Sequence, residues 1–202
     1  MSWHEKTVET YNQSAAQLAE YFKGIGARTD DIELALSLAN NPSAARVVEI
    51  GCGDGRDAAE IVTRVGWYEG FDPSEALLDL ARQKVPTGNF VKADALTYDY
   101  PDNLDVVFAF ASLLHVSRGD VPAVFQKIGR ALRPGGIAFV SLKERSEYAE
   151  EAKADQFGER MFYYYSPALL KELAGTAFSA VFEDHQHIGS TDWFTLALQK
   201  NQ

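Results

Sequence analysis

Apolar positions recur every three or four residues through the first part of the chain, at Val8, Tyr11, Ala15, Leu18 and Phe22. That spacing lays a stripe along one face of a helix, which Gly24 and Gly26 end. A second helix is predicted from Asp30, a cap with Glu33 three residues on, to Ala39, where Asn40-Asn41-Pro42 stops it. Short apolar runs then alternate with amphipathic stretches. Strands are expected at Arg46–Ile50, Trp67–Phe71, Asn89–Lys92, Leu104–Phe110 and Ile137–Leu142. Helices are expected at Arg56–Val65, after a Ser74 cap with Leu77, Leu78, Leu80 and Ala81 inward, and at Val121–Leu132. Such alternation with short connections gives right-handed crossovers and a mostly parallel α/β sheet. Ser166-Pro167 opens a further helix ending near Gly175. The last strands, Ala180–Gln186 and Trp193–Gln199, have too few residues between them for a crossover helix and pair antiparallel. Lys143–Phe157, rich in Glu and Lys, reads as a solvated helix or a mobile loop.

Charge and composition narrow the function classes. Nineteen Lys and Arg face 29 Asp and Glu, a net charge of −10, which argues against nucleic acid and against an anionic membrane surface. The longest apolar run, Val106–Ala111, is far short of the roughly 20 residues a membrane span needs. Met1–Ser14 has no signal-peptide pattern, and the single Cys52 allows no internal disulfide. These features predict a soluble, cytoplasmic protein, monomer or homodimer, with neither nucleic acid nor membrane as partner.

The strongest chemical signal is Glu49-Ile50-Gly51-Cys52-Gly53-Asp54-Gly55-Arg56, which places three glycines on alternate positions between a strand and a helix. Glycine leaves space for a ligand against the backbone, and a helix start offers unpaired N–H groups. Arg56 stands where the dinucleotide fingerprint needs its third glycine, and no Gly-Lys-Ser/Thr follows. Glu49, at the end of an apolar strand, needs a donor or a cation. Asp72, about 20 residues after the loop, suits the two hydroxyls of a ribose. A bare glycine turn, a salt bridge for Glu49 and a helix cap for Asp72 are the bland alternatives.

The ordered set VVEIGCGDGRD at 47–57, GFDPS at 70–74, KADA at 92–95, FAFASLLHV at 108–116 and LRPGGIAFVS at 132–141 resembles class I S-adenosylmethionine-dependent methyltransferases. The resemblance implies a Rossmann-like, doubly wound, mostly parallel seven-stranded sheet with an antiparallel last strand. It implies a single domain over 1–202: a helical lid over 1–42, a cofactor-binding core over 43–142 and a C-terminal part over 143–202. By position, Gly51, Gly53 and Gly55 would line the methionine part of the cofactor, with Glu49 near its ammonium. Asp72 would take the ribose, and Asp94 with Ala95 the adenine. Ala111, Ser112 and Leu113 would close over the methionyl end. Arg56 is a candidate for the carboxylate, or else a solvated helix-start residue. Cys52, Pro73 and Ser74 fall in the same motifs, and Tyr11 with Asn12 would act as a lid.

For the acceptor side, His115 just past the fourth strand is the expected general base, and Tyr163 within Phe162-Tyr163-Tyr164-Tyr165 a second catalytic candidate. A hydrogen-bonded helix-start histidine and an aromatic strand packed on the sheet explain these residues as well. The Asn/Asp-Pro-Pro-aromatic motif of base-amine methylation and the Pro-Cys of cytosine methylation are missing, which points to a small-molecule acceptor. Ser141-Leu142-Lys143-Glu144 and Phe162–Ser166 resemble segments of small bacterial methyltransferases. His185 and His187 lack an evident third ligand, so no metal is expected. A catalytically idle cofactor binder on the same fold, or a nucleoside- or dinucleotide-dependent enzyme, remain the alternatives.

Overall fold

The computed structural model describes residues 1–39 and 42–202. Seven strands form the main sheet: β1 (Arg46–Ile50), β2 (Trp67–Asp72), β3 (Asn89–Lys92), β4 (Leu104–Phe110), β5 (Leu132–Lys143), β8 (Phe178–Ile188) and β9 (Thr191–Lys200). Their order is β3-β2-β1-β4-β5-β9-β8. Neighbours from β3 to β5 are parallel, and β9 runs antiparallel to both β5 and β8. The Rossmann-like doubly wound arrangement and the antiparallel last strand are both as the sequence predicts.

All seven residues of β4 are buried, because its alternate side chains feed two cores. Val107 and Ala109 join Val121, Phe125 and Ile128 of α5 (Val121–Ala131). Val106, Phe108 and Phe110 face Ile32 and Leu36 of α2 (Thr29–Leu38) and Leu78 of α4 (Glu75–Lys84). Truncating Phe108 to alanine would cost about 3–5 kcal/mol at such a site.

Several boundaries differ from expectation. Helix α2 begins at Thr29 with Arg28 as its uncapped N-terminal flank, so Asp30 is not a cap. Asp30 and Asp31 instead sit in the first turn, where the helix dipole favours acids, and Asp31 pairs with Arg28 at 3.1 Å. The predicted Asn40-Asn41 stop lies outside the described residues. Helix α3 covers only Ala58–Ile61, and Leu80 is half-buried rather than core. Ser74 does cap α4, accepting from Leu77 N–H at 3.3 Å. Helix α6 (Pro167–Ala174) is capped by Ser166.

The main correction falls on Lys143–Phe157. Strands β6 (Ala149–Asp155) and β7 (Gly158–Tyr164) form a separate antiparallel hairpin, in place of the expected solvated helix or loop. Along β6 the half-buried face alternates as Ala149, Glu151 and Lys153. That period of two is carried by ion-paired side chains, Glu151 meeting Arg145 and Lys153, so hydropathy alone misses it. Helix α1 (Trp3–Ile25), opened by a Ser2–Glu5 capping box, lies across α4 and this hairpin. Its buried face holds Thr7, Thr10 and Ser14 beside Ala15 and Leu18, so the stripe is only partly apolar.

Candidate functional site

The loops after β1, β2, β3 and β4 open into one cleft at the carboxyl edge of the sheet. Its glycines have different tasks. Gly51 (φ 69°) brings the β1 loop so near the β4 loop that an added Cβ would lie 2.4 Å from Ser112 Cβ. Gly53 faces open space, and its N–H donates to Asp72 Oδ2 at 3.1 Å. Gly55 does not line the cleft as expected. Its missing Cβ lets the loop pack on α4, where a Cβ would meet Ala81 at 3.1 Å. At the end of β4, Ala111 takes a left-handed conformation (φ 53°) with its N–H bonded to Ser141 O at 2.9 Å, turning Ser112 and Leu113 into the wall.

Acidic groups dominate this wall. Glu49 is buried and accepts from Tyr68 Oη at 2.6 Å. Burial, reinforced by nearby Asp57, pushes its carboxyl up to about 8. Burial likewise raises Asp72 to about 6, although it accepts from Ser74 N–H at 2.8 Å and from Gly53 N–H. The other buried acids have cations: Asp54 pairs with Lys84, and Asp57 with Arg56. Asp94 Oδ1 accepts from Leu96 N–H at 2.8 Å, and its Oδ2 stands 3.5 Å from His4. Ser112 Oγ is buried with no hydrogen-bond partner among the described residues.

Helix α1 roofs the cleft with His4, Thr7, Val8, Tyr11 and Phe22. Asn12 fastens it to α4, its Oδ1 accepting from Ser74 Oγ at 2.9 Å and Ala76 N–H at 3.2 Å. On the other side, Thr10 Oγ1 donates to Glu159 O at 2.8 Å and Thr7 Oγ1 accepts from Met161 N–H at 3.1 Å, covering the free edge of β7. His115 Nδ1 lies 2.6 Å from Met161 O, a pure acceptor, so Nδ1 carries the hydrogen. Its Nε2 therefore accepts from Tyr11 Oη at 2.7 Å. Burial, with Arg160, Lys143 and His4 nearby, pushes the imidazole down to about 3 despite the Met161 bond.

Most of the sequence-predicted residues meet here: Tyr11, Glu49, Gly51, Cys52, Gly53, Arg56, Asp72, Pro73, Asp94, Ala95, Ala111, Ser112, Leu113 and His115. Ser74 lies behind the wall as the cap of α4 and a partner of Asn12. Tyr163 is not part of the wall either, because β7 turns Arg160, Phe162 and Tyr164 to its buried face and Tyr163 to the other. Phe162 is the aromatic that meets His115, with ring centroids 4.9 Å apart. Sequence reasoning missed Asp54, Asp57 and Phe110, which sit on motif positions, and His4, Thr7 and Phe22, for which the hydroxyls within α1's stripe were the available signal. His185 meets Glu144 at 2.8 Å and His187 meets Asp192 at 2.6 Å, and no metal-sized cluster forms among the described residues. No described helix is long and apolar enough to cross a membrane.

Residues 47–136 match a family described as a methyltransferase domain. A trans-aconitate 2-methyltransferase of Variovorax paradoxus is 33% identical over 109 residues, 52% of this chain and 41% of that protein. The chain thus aligns with about two fifths of the length of such relatives. A methyltransferase structure from Leishmania major superposes with a TM-score of 0.75 at 17% identity, covering 98% of this chain and 83% of that one. The DhpI–SAH complex superposes with a TM-score of 0.73 at 18% identity, covering 98% of each chain. Residues 47–136 are thus similar to a methyltransferase domain, and the strand order is that of the methyltransferase structures on which the chain superposes.

Proposed function

We propose that the cleft binds S-adenosylmethionine and that the chain transfers its methyl group to a small-molecule acceptor. The observation that carries this reading is the pair Glu49 and Asp72, two buried acids with no ion-paired cationic side chain among the described residues, at the ends of adjacent strands around Gly53. An ammonium would relieve the desolvated Glu49, and a ribose diol would donate to Asp72. The orphaned Ser112 Oγ gives a further polar partner on the wall.

When bound, S-adenosylmethionine supplies a methyl group already activated on a sulfonium, ready for in-line displacement. What remains for the protein is alignment and exclusion of water. Helix α1, held by Asn12 on one side and Thr7 and Thr10 on the other, is the roof that excludes water. His115 orients the Tyr11 hydroxyl, which gives its hydrogen to Nε2 and receives Arg160 Nη1 at 3.4 Å. Tyr11 thereby presents a fixed oxygen at the acceptor end of the cleft.

Calorimetric titration tests the binding half of this reading. S-adenosylmethionine and S-adenosylhomocysteine should bind, and NAD should not. Failure of both to bind, or binding unaffected by Asp72→Ala, overturns it. Release of S-adenosylhomocysteine across a metabolite panel tests the transfer half. Trans-aconitate is the first acceptor to assay, because the relatives carry that name.

A further inference from the structure

Glu49 lines the cleft, and among the described residues a single side chain holds its carboxylate. In the parallel register of β1 and β2, Val47 stands beside Tyr68 and Glu49 beside Gly70. Register partners share a face of the sheet, so Tyr68 and Glu49 lie on the same side, two residues out of step. A side chain at position 70 would stand between them. An added Cβ there would lie 2.3 Å from Tyr68 Oη and 2.8 Å from Cys52 Cβ. Because Gly70 has none, the phenol passes over it and Oη donates to Glu49 Oε2 at 2.6 Å. The ring is fixed in turn by Phe90, the register partner of Gly70 on β3, which meets it edge-on with centroids 6.0 Å apart.

The other groups around Glu49 do not hold it. Arg56 is near enough to act on its charge, but Nε and Nη2 are bonded to Asp57, Nε at 3.2 Å. Asp57 and Asp72 face Glu49 as like charges and repel it. Burial, with the Glu49 charge beside it, pushes the Tyr68 hydroxyl well above the ordinary phenol range. Tyr68 therefore keeps its hydrogen and donates to Glu49 in either of its forms. A carboxylate oxygen has two lone pairs, so the bond from Tyr68 leaves Glu49 able to accept from a ligand as well.

We infer that Tyr68 is a positioning residue for the cofactor: reaching through the gap left by Gly70, it aims the Glu49 carboxylate at the place where the ligand's ammonium arrives. The inference rests on the S-adenosylmethionine reading of the cleft. Tyr68 is not part of the cleft lining, so it acts through Glu49 alone. Without the phenol bond the carboxylate is free to turn, and an ammonium has to order it on binding, which weakens affinity. The effect is specific to ligands that carry an ammonium.

The test compares two ligands by calorimetry on the full chain: S-adenosylhomocysteine and its deaminated analogue, in which hydrogen replaces the ammonium. Tyr68→Phe keeps the ring and removes only the hydroxyl. It should weaken S-adenosylhomocysteine about tenfold, the worth of one charged hydrogen bond, and leave the analogue within about twofold. A merely structural role would weaken both ligands alike. A second comparison stands even where that variant folds poorly: once Glu49→Gln has removed the charge, adding Tyr68→Phe should change S-adenosylhomocysteine affinity less than about twofold. The proposal fails if Tyr68→Phe weakens both ligands equally, if it weakens neither, or if it costs about tenfold in the Glu49→Gln background too. Failure of S-adenosylhomocysteine to bind the unaltered chain breaks the cofactor reading instead.

Discussion

On the β1–β2 side of the cleft, Glu49, Asp54, Asp57 and Asp72 are buried within a short stretch of wall. Lys143, Lys153 and Arg160 gather at the end of β5 and on the hairpin, outside the lining of the cleft. In both regions some charges are answered from within the chain, Asp54 by Lys84 and Arg160 by Asp155 among them. Each region also keeps members that lack a counter-ion among the described residues: Glu49 and Asp72 in one, Lys143 in the other. Answered charges stabilise the scaffold, whereas unanswered ones outline the complement of a ligand. By that criterion the acidic wall is the part of the cleft that the proposed cofactor, with its ammonium and diol, would complement.

The sharpest way to break this comparison is to neutralise each region separately. Asp72→Ala should weaken S-adenosylhomocysteine about 100-fold by calorimetry, while Lys143→Met changes it less than about twofold. Equal losses would mean that the regions do not act independently.

Next in size is the proton on Glu49. With a folded value near 8 against an ordinary 4.5, the buried carboxyl holds a proton at pH 7 in the ligand-free protein. An ammonium arriving there lowers that value. Binding should release up to one proton, seen as heats that differ between buffers of unlike ionisation enthalpy, and Glu49→Gln should abolish the difference. The same group makes ligand-free stability pH-dependent. Its contribution is complete below the unfolded value of 4.5 and is lost as pH rises through about 8; Asp72 adds a loss through about 6. The melting temperature should therefore fall between pH 5 and pH 8.5, and less steeply in Glu49→Gln.

Smaller effects test the roof. Asn12→Ala removes two bonds to the start of α4, so it should cost about 1 kcal/mol and speed release of S-adenosylhomocysteine several-fold in stopped flow. Smallest of all, Tyr163→Phe should leave S-adenosylhomocysteine affinity and turnover within about twofold, since its side chain is on the face of β7 opposite Phe162 and is not part of the cleft lining.

Legibility tracked the range of the interactions involved. The parallel strands were readable because β4 is apolar on both faces and β1 runs straight into the glycine loop. Glu49, Asp72 and Asp94 were readable because each stands at or just past the end of its strand. The hairpin was not, since its period of two is written in Glu151 and Lys153 and becomes a burial pattern only when Arg145 and Phe162 lie beside them. Gly55 looked equivalent to Gly51 and Gly53, and only the packing of α4 separates its task from theirs.

The chain's own order of residues determined the sheet, its antiparallel end and the acidic half of the site, because those depend on neighbours in sequence and on hydropathy. Tertiary structure alone decided how Tyr11 meets His115, 104 positions apart, and how Arg160 comes to stand over the Tyr11 ring. Such contacts depend on where α1 and the hairpin dock, and docking is set by the summed packing of the whole surface rather than by any local pattern.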